Sequence, residues 1–80
     1  MSKEYKIKWD VPKSYNPARI LNQLPSPISR DFTEIYNYSC EDYGFYFLDN
    51  LVDPKTAGYA MKLFIDEALS QSPQIQIEEL

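Results

Sequence analysis

The run Tyr43-Gly44-Phe45-Tyr46-Phe47-Leu48 constrains the fold more than any other part of the chain. It is the most apolar stretch of the sequence, and only Gly44 interrupts the large side chains on its two alternating faces. A short aromatic run of this kind is typical of a strand that neighbouring elements cover, and aromatic side chains fit the pleated surface of a sheet. We therefore expect a central strand here, around which the rest of the chain packs.

The length of the chain limits it to a single domain over residues 1–80. A chain of this size has room for one hydrophobic core and buries only about 60% of its unfolded surface. Seven Tyr, four Phe and one Trp supply much of the apolar area for that core.

The charge and the cysteine content of the chain indicate which partners and which compartment are expected. Eight basic and twelve acidic residues give a net charge of −4, which argues against a protein that binds duplex nucleic acid through its phosphates. Cys40 is the single cysteine, so no internal disulfide forms, as is usual in a reducing compartment.

The chain begins without the apolar core of a secretory signal, and no apolar run reaches the roughly 20 residues of a membrane span. We expect a cytoplasmic protein that does not bind a membrane.

Alternation and capping signals predict three elements in the first half of the chain. Residues 5–11 alternate apolar and polar side chains, which predicts a strand with one buried face. Asn16 followed by Pro17 is a typical helix start, and we expect this helix to end at about residue 24. A second strand is expected over about residues 31–39.

The second half of the chain shows the same two kinds of signal, alternation and helix capping. The polar pair Glu41-Asp42 is expected to be the loop of a hairpin between the second strand and the central one. Asp53-Pro54 predicts the start of a long helix that ends at about residue 70. Gly58 weakens this helix, so we expect it to allow a close approach to the sheet. Residues 74–78 alternate again and predict a last strand.

The element order is therefore βαββαβ. This order predicts an α+β fold of the ferredoxin-like type, in which two helices lie on one face of a four-stranded antiparallel sheet. In that plan the first and third strands are central and the second and fourth are edges. The composition agrees, because the two strands expected at the edges are the more polar ones.

The hairpin loop decides which side chains share a face. With Glu41-Asp42 as the loop, Tyr38 lies opposite Phe45 and Tyr36 lies opposite Phe47. Burial of the more aromatic face removes more apolar area from water, at roughly 25 cal/mol per Å². The face expected under the helices carries Phe32, Tyr36, Tyr38, Phe45 and Phe47. The face expected to stay open carries Lys6, Lys8, Asp10, Ile35, Asn37, Tyr46, Leu48, Gln74, Gln76 and Glu78.

No catalytic constellation is visible. The chain has no histidine, and its two glycines form no phosphate-binding loop. The acidic neighbours of Cys40 raise a thiol pKa and so disfavour a nucleophilic role. The carboxylates near the hairpin ends are expected to be solvated side chains rather than metal ligands: Glu41, Asp42, Asp49 and Asp53. We therefore expect no enzymatic activity, no cofactor and no metal.

The segment 42–47, Asp-Tyr-Gly-Phe-Tyr-Phe, resembles the aromatic octamer on the third strand of RNA-recognition-motif domains. That family also has the βαββαβ order. The resemblance implies that Tyr43 and Phe45 stack RNA bases on the open face, with Lys6 and Lys8 beside them. The chain departs from the pattern at Glu41, where the family has a basic residue.

The open face nevertheless suggests a different partner. Ile35, Tyr46 and Leu48 form an apolar island on it, with Lys6 and Lys8 nearby. An aromatic residue within an exposed apolar island is typical of a protein contact, although scattered apolar residues also occur on surfaces without a partner. We expect a small non-enzymatic protein-binding or regulatory module that acts through this face. The partner is another protein or a second copy of the chain, paired at the last strand. Single-stranded RNA is the alternative.

Overall fold

The chain forms an antiparallel four-stranded sheet and two helices in a computed structural model that describes residues 1–80. The elements in chain order are β1 (Lys3–Lys8), α1 (Ala18–Leu21), β2 (Tyr36–Glu41), β3 (Gly44–Asp49), α2 (Pro54–Gln71) and β4 (Gln76–Glu79). This confirms the predicted α+β class. Neither helix is long and apolar enough to cross a membrane.

The strands lie in the order β2-β3-β1-β4, so β3 and β1 are the two inner strands. Every neighbouring pair is antiparallel. The aromatic run is therefore central in the sheet, paired on one side with β1 and on the other with β2. The first and third strands are the ones that the sequence pattern places inside.

The hairpin loop differs by one residue from the expected one. Asp42-Tyr43 forms the loop, and Glu41 pairs with Gly44. Tyr38 therefore lies opposite Phe47 instead of Phe45. The predicted register is wrong by two residues, but side chains alternate with a period of two, so the paired residues of β2 and β3 stay on their expected faces.

The segment between α1 and β2 departs most from expectation. α1 is a single turn, because Gln23 N–H donates to the Ile20 carbonyl and tightens the chain before Pro25. The second strand begins at Tyr36 and not near residue 31. Residues 28–34 form a loop closed by an isolated bridge between Ile28 and Glu34.

Two residues expected in that strand have exchanged environments. Phe32, predicted to be in the core, is 88% exposed and has a left-handed φ of 65°. Ile35, predicted to be on the open face, is only 4% exposed. Its N–H donates to the Pro27 carbonyl at 2.7 Å, and its carbonyl accepts from Asn50 N–H at 3.1 Å. The bond from Asn50 continues the β2–β3 register by one residue, whereas the bond to Pro27 belongs to the preceding loop, where the predicted strand pairing is lost.

The helix α2 begins as its sequence predicts. Asp53 is the N-cap, and its carboxylate accepts hydrogen bonds from the N–H of Thr56 at 3.2 Å and from its hydroxyl at 2.7 Å. Pro54 occupies the first turn, where the missing N–H has no cost. The helix ends at Gln71, one residue beyond the predicted end.

The core lies between α2 and the inner strands. Phe45, Phe47 and Phe64 are all completely buried. The Phe64 ring centroid is 4.9 Å from that of Phe45 and 5.9 Å from that of Phe47. Burial of each such side chain contributes roughly 1.5–3 kcal/mol. The aromatic residues of β3 therefore point inward under α2, as the hydrophobic pattern predicts.

The two glycines have different roles. Gly44 has a φ of +141°, and a Cβ at this position would lie 2.0 Å from the Ile7 carbonyl oxygen. Only glycine fits this backbone beside β1. Gly58 has no neighbour within 4 Å of its Cβ position, so the expected close approach to the sheet is wrong.

We expect Gly44→Ala and Gly58→Ala to change stability in opposite directions. Gly44→Ala should lower the free energy of unfolding by at least about 2 kcal/mol, because it combines backbone strain with a backbone clash. Gly58→Ala should raise it by up to about 1 kcal/mol, because alanine favours a helix interior. Urea unfolding followed by circular dichroism measures both values. Equal stabilities for wild type and Gly44→Ala would contradict the close approach of β3 to β1.

Candidate functional site

The face of the sheet opposite the helices is the predicted binding surface. The observed register places Glu4, Lys6 and Lys8 of β1 on this face. Across β3, Leu48 pairs with Glu4 and Tyr46 pairs with Lys6. Both β3 side chains are half-buried. The outer strands contribute polar groups to the same face: Asn37, Ser39, Glu41, Gln76 and Glu78.

The phenol of Tyr46 is held by a carboxylate. Its hydroxyl donates to Glu4 Oε1 at 2.6 Å. This hydrogen bond, with burial as a smaller cause, raises the pKa of Tyr46 to about 12. At neutral pH the phenol is protonated, as tyrosine normally is, and its hydroxyl acts as a hydrogen-bond donor to Glu4.

The two lysines of the face also have partners within the chain. Lys8 Nζ lies 2.7 Å from Glu78 Oε1, and this contact lowers the pKa of the Glu78 carboxyl. Lys6 Nζ lies 5.1 Å from the centroid of the Tyr43 ring, within reach of a cation–π interaction. The face thus carries charges of both signs, of which Lys8 and Glu78 form an ion pair.

The predicted protein-binding residues come together in part. Tyr46 and Leu48 lie two positions apart on β3, and Lys6 and Lys8 lie two apart on the neighbouring β1. Ile35 is buried in the core, so its predicted place in the island is wrong. The alternation ends before β2 begins, because the chain turns at residues 29–32. The apolar island therefore consists of Tyr46 and Leu48.

The two residues that the RNA-recognition-motif resemblance implies as a stacking pair differ in exposure. Phe45 is completely buried against Phe64, as the hydrophobic pattern predicts, so the exposure that the resemblance implies for it is not found. Tyr43 lies in the hairpin loop and is half-buried. A side chain of a central strand points to only one face of the sheet. The side chain of Phe45 points to the face that α2 covers.

The carboxylates near the hairpin ends have local roles or face solvent. Glu41 and Asp42 are exposed. Asp49 accepts the N–H of Leu51 at 2.8 Å, and Asp53 caps α2. No three His, Cys, Asp or Glu side chains come close enough together to hold a metal ion.

A groove at the far end of the sheet was not foreseen from the sequence. It is open to solvent, has a volume of about 950 Å³, and lies between the end of β1, the hairpin loop and the start of β4. Trp9 contributes to its wall, and the buried Nε1–H of this residue has no hydrogen-bond acceptor. The indole lies directly beside Gly44. The apolar alternation of residues 5–11 predicts burial of Trp9 but not this unpaired donor.

A buried carboxylate was also missed. Glu67 is 7% exposed, and its two oxygens accept from the Tyr15 hydroxyl at 2.6 Å and from Arg19 Nη2 at 2.7 Å. Burial raises the pKa of Tyr15, and the hydrogen bond that its hydroxyl donates to Glu67 is the second largest cause of this rise. The signal was available, because Glu67 lies at helical spacing from Ala60 and Phe64 on the buried side of α2. The cluster ties α1 and the preceding loop to α2.

Comparison of the chain with protein-family models, with curated proteins and with solved structures finds no match.

We expect Glu4→Ala to lower the pKa of Tyr46 from about 12 toward its ordinary value of 10. A raised folded-state pKa stabilises the fold below the unfolded-state value and loses that effect as pH rises through the folded-state value. Wild type should therefore lose more stability than Glu4→Ala between about pH 10 and 12. An NMR titration that resolves each tyrosine ring measures the pKa. Glu78→Ala is the control, and an unchanged Tyr46 titration in Glu4→Ala would refute the contact.

Proposed function

We propose that this protein is a non-enzymatic protein-binding module whose contact surface is the open face of the sheet. The observation that supports it most is the placement of Tyr46 and Leu48. They are the large apolar side chains of an inner strand on the face that no helix covers. Tyrosine within a polar surround is typical of residues that contribute much of the binding energy at protein interfaces.

The chemistry of the face suits a protein partner. Tyr46 offers a ring and a hydroxyl, and Leu48 adds aliphatic surface beside it. Lys6 and Lys8, with the carboxylates of Glu4 and Glu78, surround the pair with charges of both signs. A mixed rim of this kind selects a partner by charge complementarity more than it adds affinity. A partner with paired acidic and basic groups around an apolar centre fits this pattern.

We further propose that the fold follows the ferredoxin-like plan and that the protein acts in the cytoplasm. The βαββαβ element order and the inner positions of β1 and β3 support the fold assignment. The free and exposed thiol of Cys40 supports a reducing compartment.

We expect Tyr46→Ser to reduce partner binding by at least about tenfold and to cost only about 1 kcal/mol of stability, because the ring is half-buried and outside the core. Affinity capture from a cell extract, read by quantitative mass spectrometry, identifies proteins lost with this variant. Tyr59→Ser is the matched control, because Tyr59 is an exposed tyrosine on α2. A candidate lost only with Tyr46→Ser is then titrated as a purified protein.

Three results would count against the proposal. Cooperative loss of the fold in Tyr46→Ser would show that the ring is part of the core. Equal capture by wild type and both variants would remove the open face as the contact surface. Finally, binding of short single-stranded RNA at low salt, weakened both by added salt and by Tyr46→Ser, would assign the face to nucleic acid instead.

A further inference from the structure

Two loops at one end of the sheet are joined by hydrogen bonds. The first loop is residues 28–34, and the second is residues 50–53, between β3 and α2. Asn50 Nδ2 donates to the Glu34 carbonyl at 3.2 Å and to its Oε1 at 2.9 Å. The N–H of Asn50 also donates to the carbonyl of Ile35, which directly follows the first loop, and this bond extends the β2–β3 pairing to the base of both loops. The two loops therefore form one surface.

Each loop holds a large apolar residue in the left-handed backbone region. Phe32 has a φ of 65° and Leu51 a φ of 60°, and they are the only two non-glycine residues with positive φ. Phe32 is 88% exposed and Leu51 is 45% exposed. Asparagine and glycine favour this conformation, whereas bulky apolar residues rarely adopt it. Strained residues that contribute little to the core are a recognised mark of functional positions.

The strain at Phe32 is maintained by its own loop. Ser29 N–H donates to the Thr33 carbonyl at 2.8 Å, and Phe32 N–H donates to the Ser29 carbonyl at 3.0 Å. The Thr33 N–H also donates to the Ser29 hydroxyl at 3.1 Å. The ring is thus presented to solvent by a closed, hydrogen-bonded loop.

More apolar surface lies on the same loops. Ile28 is 42% exposed and Val52 is 47% exposed. We define the two-loop patch as Ile28, Phe32, Leu51 and Val52. Exposed apolar side chains on loops that hydrogen bonds hold together are typical of an interaction site.

The charges around the two-loop patch are mainly negative. Residues 28–34 and 49–55 carry four carboxylates and two basic side chains, namely Asp31, Glu34, Asp49 and Asp53 against Arg30 and Lys55. Hydrogen bonds from Ser29 and Thr33 lower the pKa of Asp31, and hydrogen bonds from Thr56 lower that of Asp53. Both carboxylates are therefore ionised at neutral pH.

We propose that the two-loop patch is a docking site for a basic, apolar polypeptide segment of another protein. Phe32 and Leu51 are its apolar anchors, and the surrounding carboxylates attract basic side chains that flank the apolar groups of the partner. Two copies of this chain that meet through the same patch would bring like charges together, so the partner is not a second copy. The same charges repel an anionic membrane. This inference does not depend on the proposed function of the open face.

The test uses the whole chain and a defined probe. The probe is a synthetic amphipathic peptide of leucine and lysine, and a leucine-glutamate peptide with the same spacing is its charge-reversed control. The variants are Phe32→Asn and Leu51→Asn, because asparagine tolerates the left-handed backbone and so keeps the loops intact. Leu69→Asn is the control variant, since Leu69 is an exposed leucine near the far end of α2.

We expect the leucine-lysine peptide to shift the NMR signals of residues 28–34 and 50–53. Phe32→Asn combined with Leu51→Asn should weaken this binding at least about tenfold, while the melting temperature stays the same or rises. Leu69→Asn should bind as wild type does, and the leucine-glutamate peptide should bind more weakly.

Other outcomes would overturn the proposal. These are unchanged affinity in the double variant, signal changes confined to the open sheet face, or equal binding of both peptides. A dimer in sedimentation that Phe32→Asn abolishes would assign the patch to a second copy. Binding to zwitterionic phospholipid vesicles that depends on Phe32 would assign it to a lipid surface.

Discussion

The contact of Phe64 with the aromatic residues of β3 determines which face of the sheet is covered. Phe45 and Phe47 lie within 6 Å of the Phe64 ring, centroid to centroid, and all three are fully buried. Since side chains of a strand alternate, this contact also places Tyr46 and Leu48 on the uncovered side. A chain of this size has little other apolar area with which to hold a helix on its sheet. The open face is therefore a direct consequence of the core.

The sequence predicts the parts of the structure that depend on short-range signals. Asp53-Pro54 gives the start of α2, and the alternation of β1 gives its buried face, because caps and alternation act over only a few residues. The placement of Phe45 and Phe47 survives an error in the hairpin register, since a shift of two residues leaves each face unchanged. For the same reason, Tyr46 and Leu48 could be assigned to the open face before the loop was known.

The sequence fails where hydrogen bonds within a loop replace regular pairing. The alternation of residues 31–39 suggests one strand, yet its first half is a loop held by the Ile28–Glu34 bridge and by the bond from Ile35 N–H to the Pro27 carbonyl. A propensity pattern carries no information about such loop bonds. The alternation therefore assigns Phe32 to the core and Ile35 to the open face, and the structure shows the reverse. The spacing of Glu67 from Ala60 and Phe64 indicates the buried side of α2, but the sequence does not show which groups neutralise its charge. A charged residue on the buried side of a helix needs partners from elsewhere in the chain, here Tyr15 and Arg19.

The open face and the two-loop patch differ in what a partner must displace. On the open face several polar groups already have partners within the chain, as in the Tyr46–Glu4 hydrogen bond and the Lys8–Glu78 ion pair. A partner that replaces these contacts gains only the difference between old and new bonds. Phe32 and Leu51 form no such contacts that must be broken, and their backbone strain is already present in the free protein. Because preorganised groups lose less on binding, we expect an exposed side chain of the patch to contribute more to the affinity for a partner than an exposed side chain of the open face.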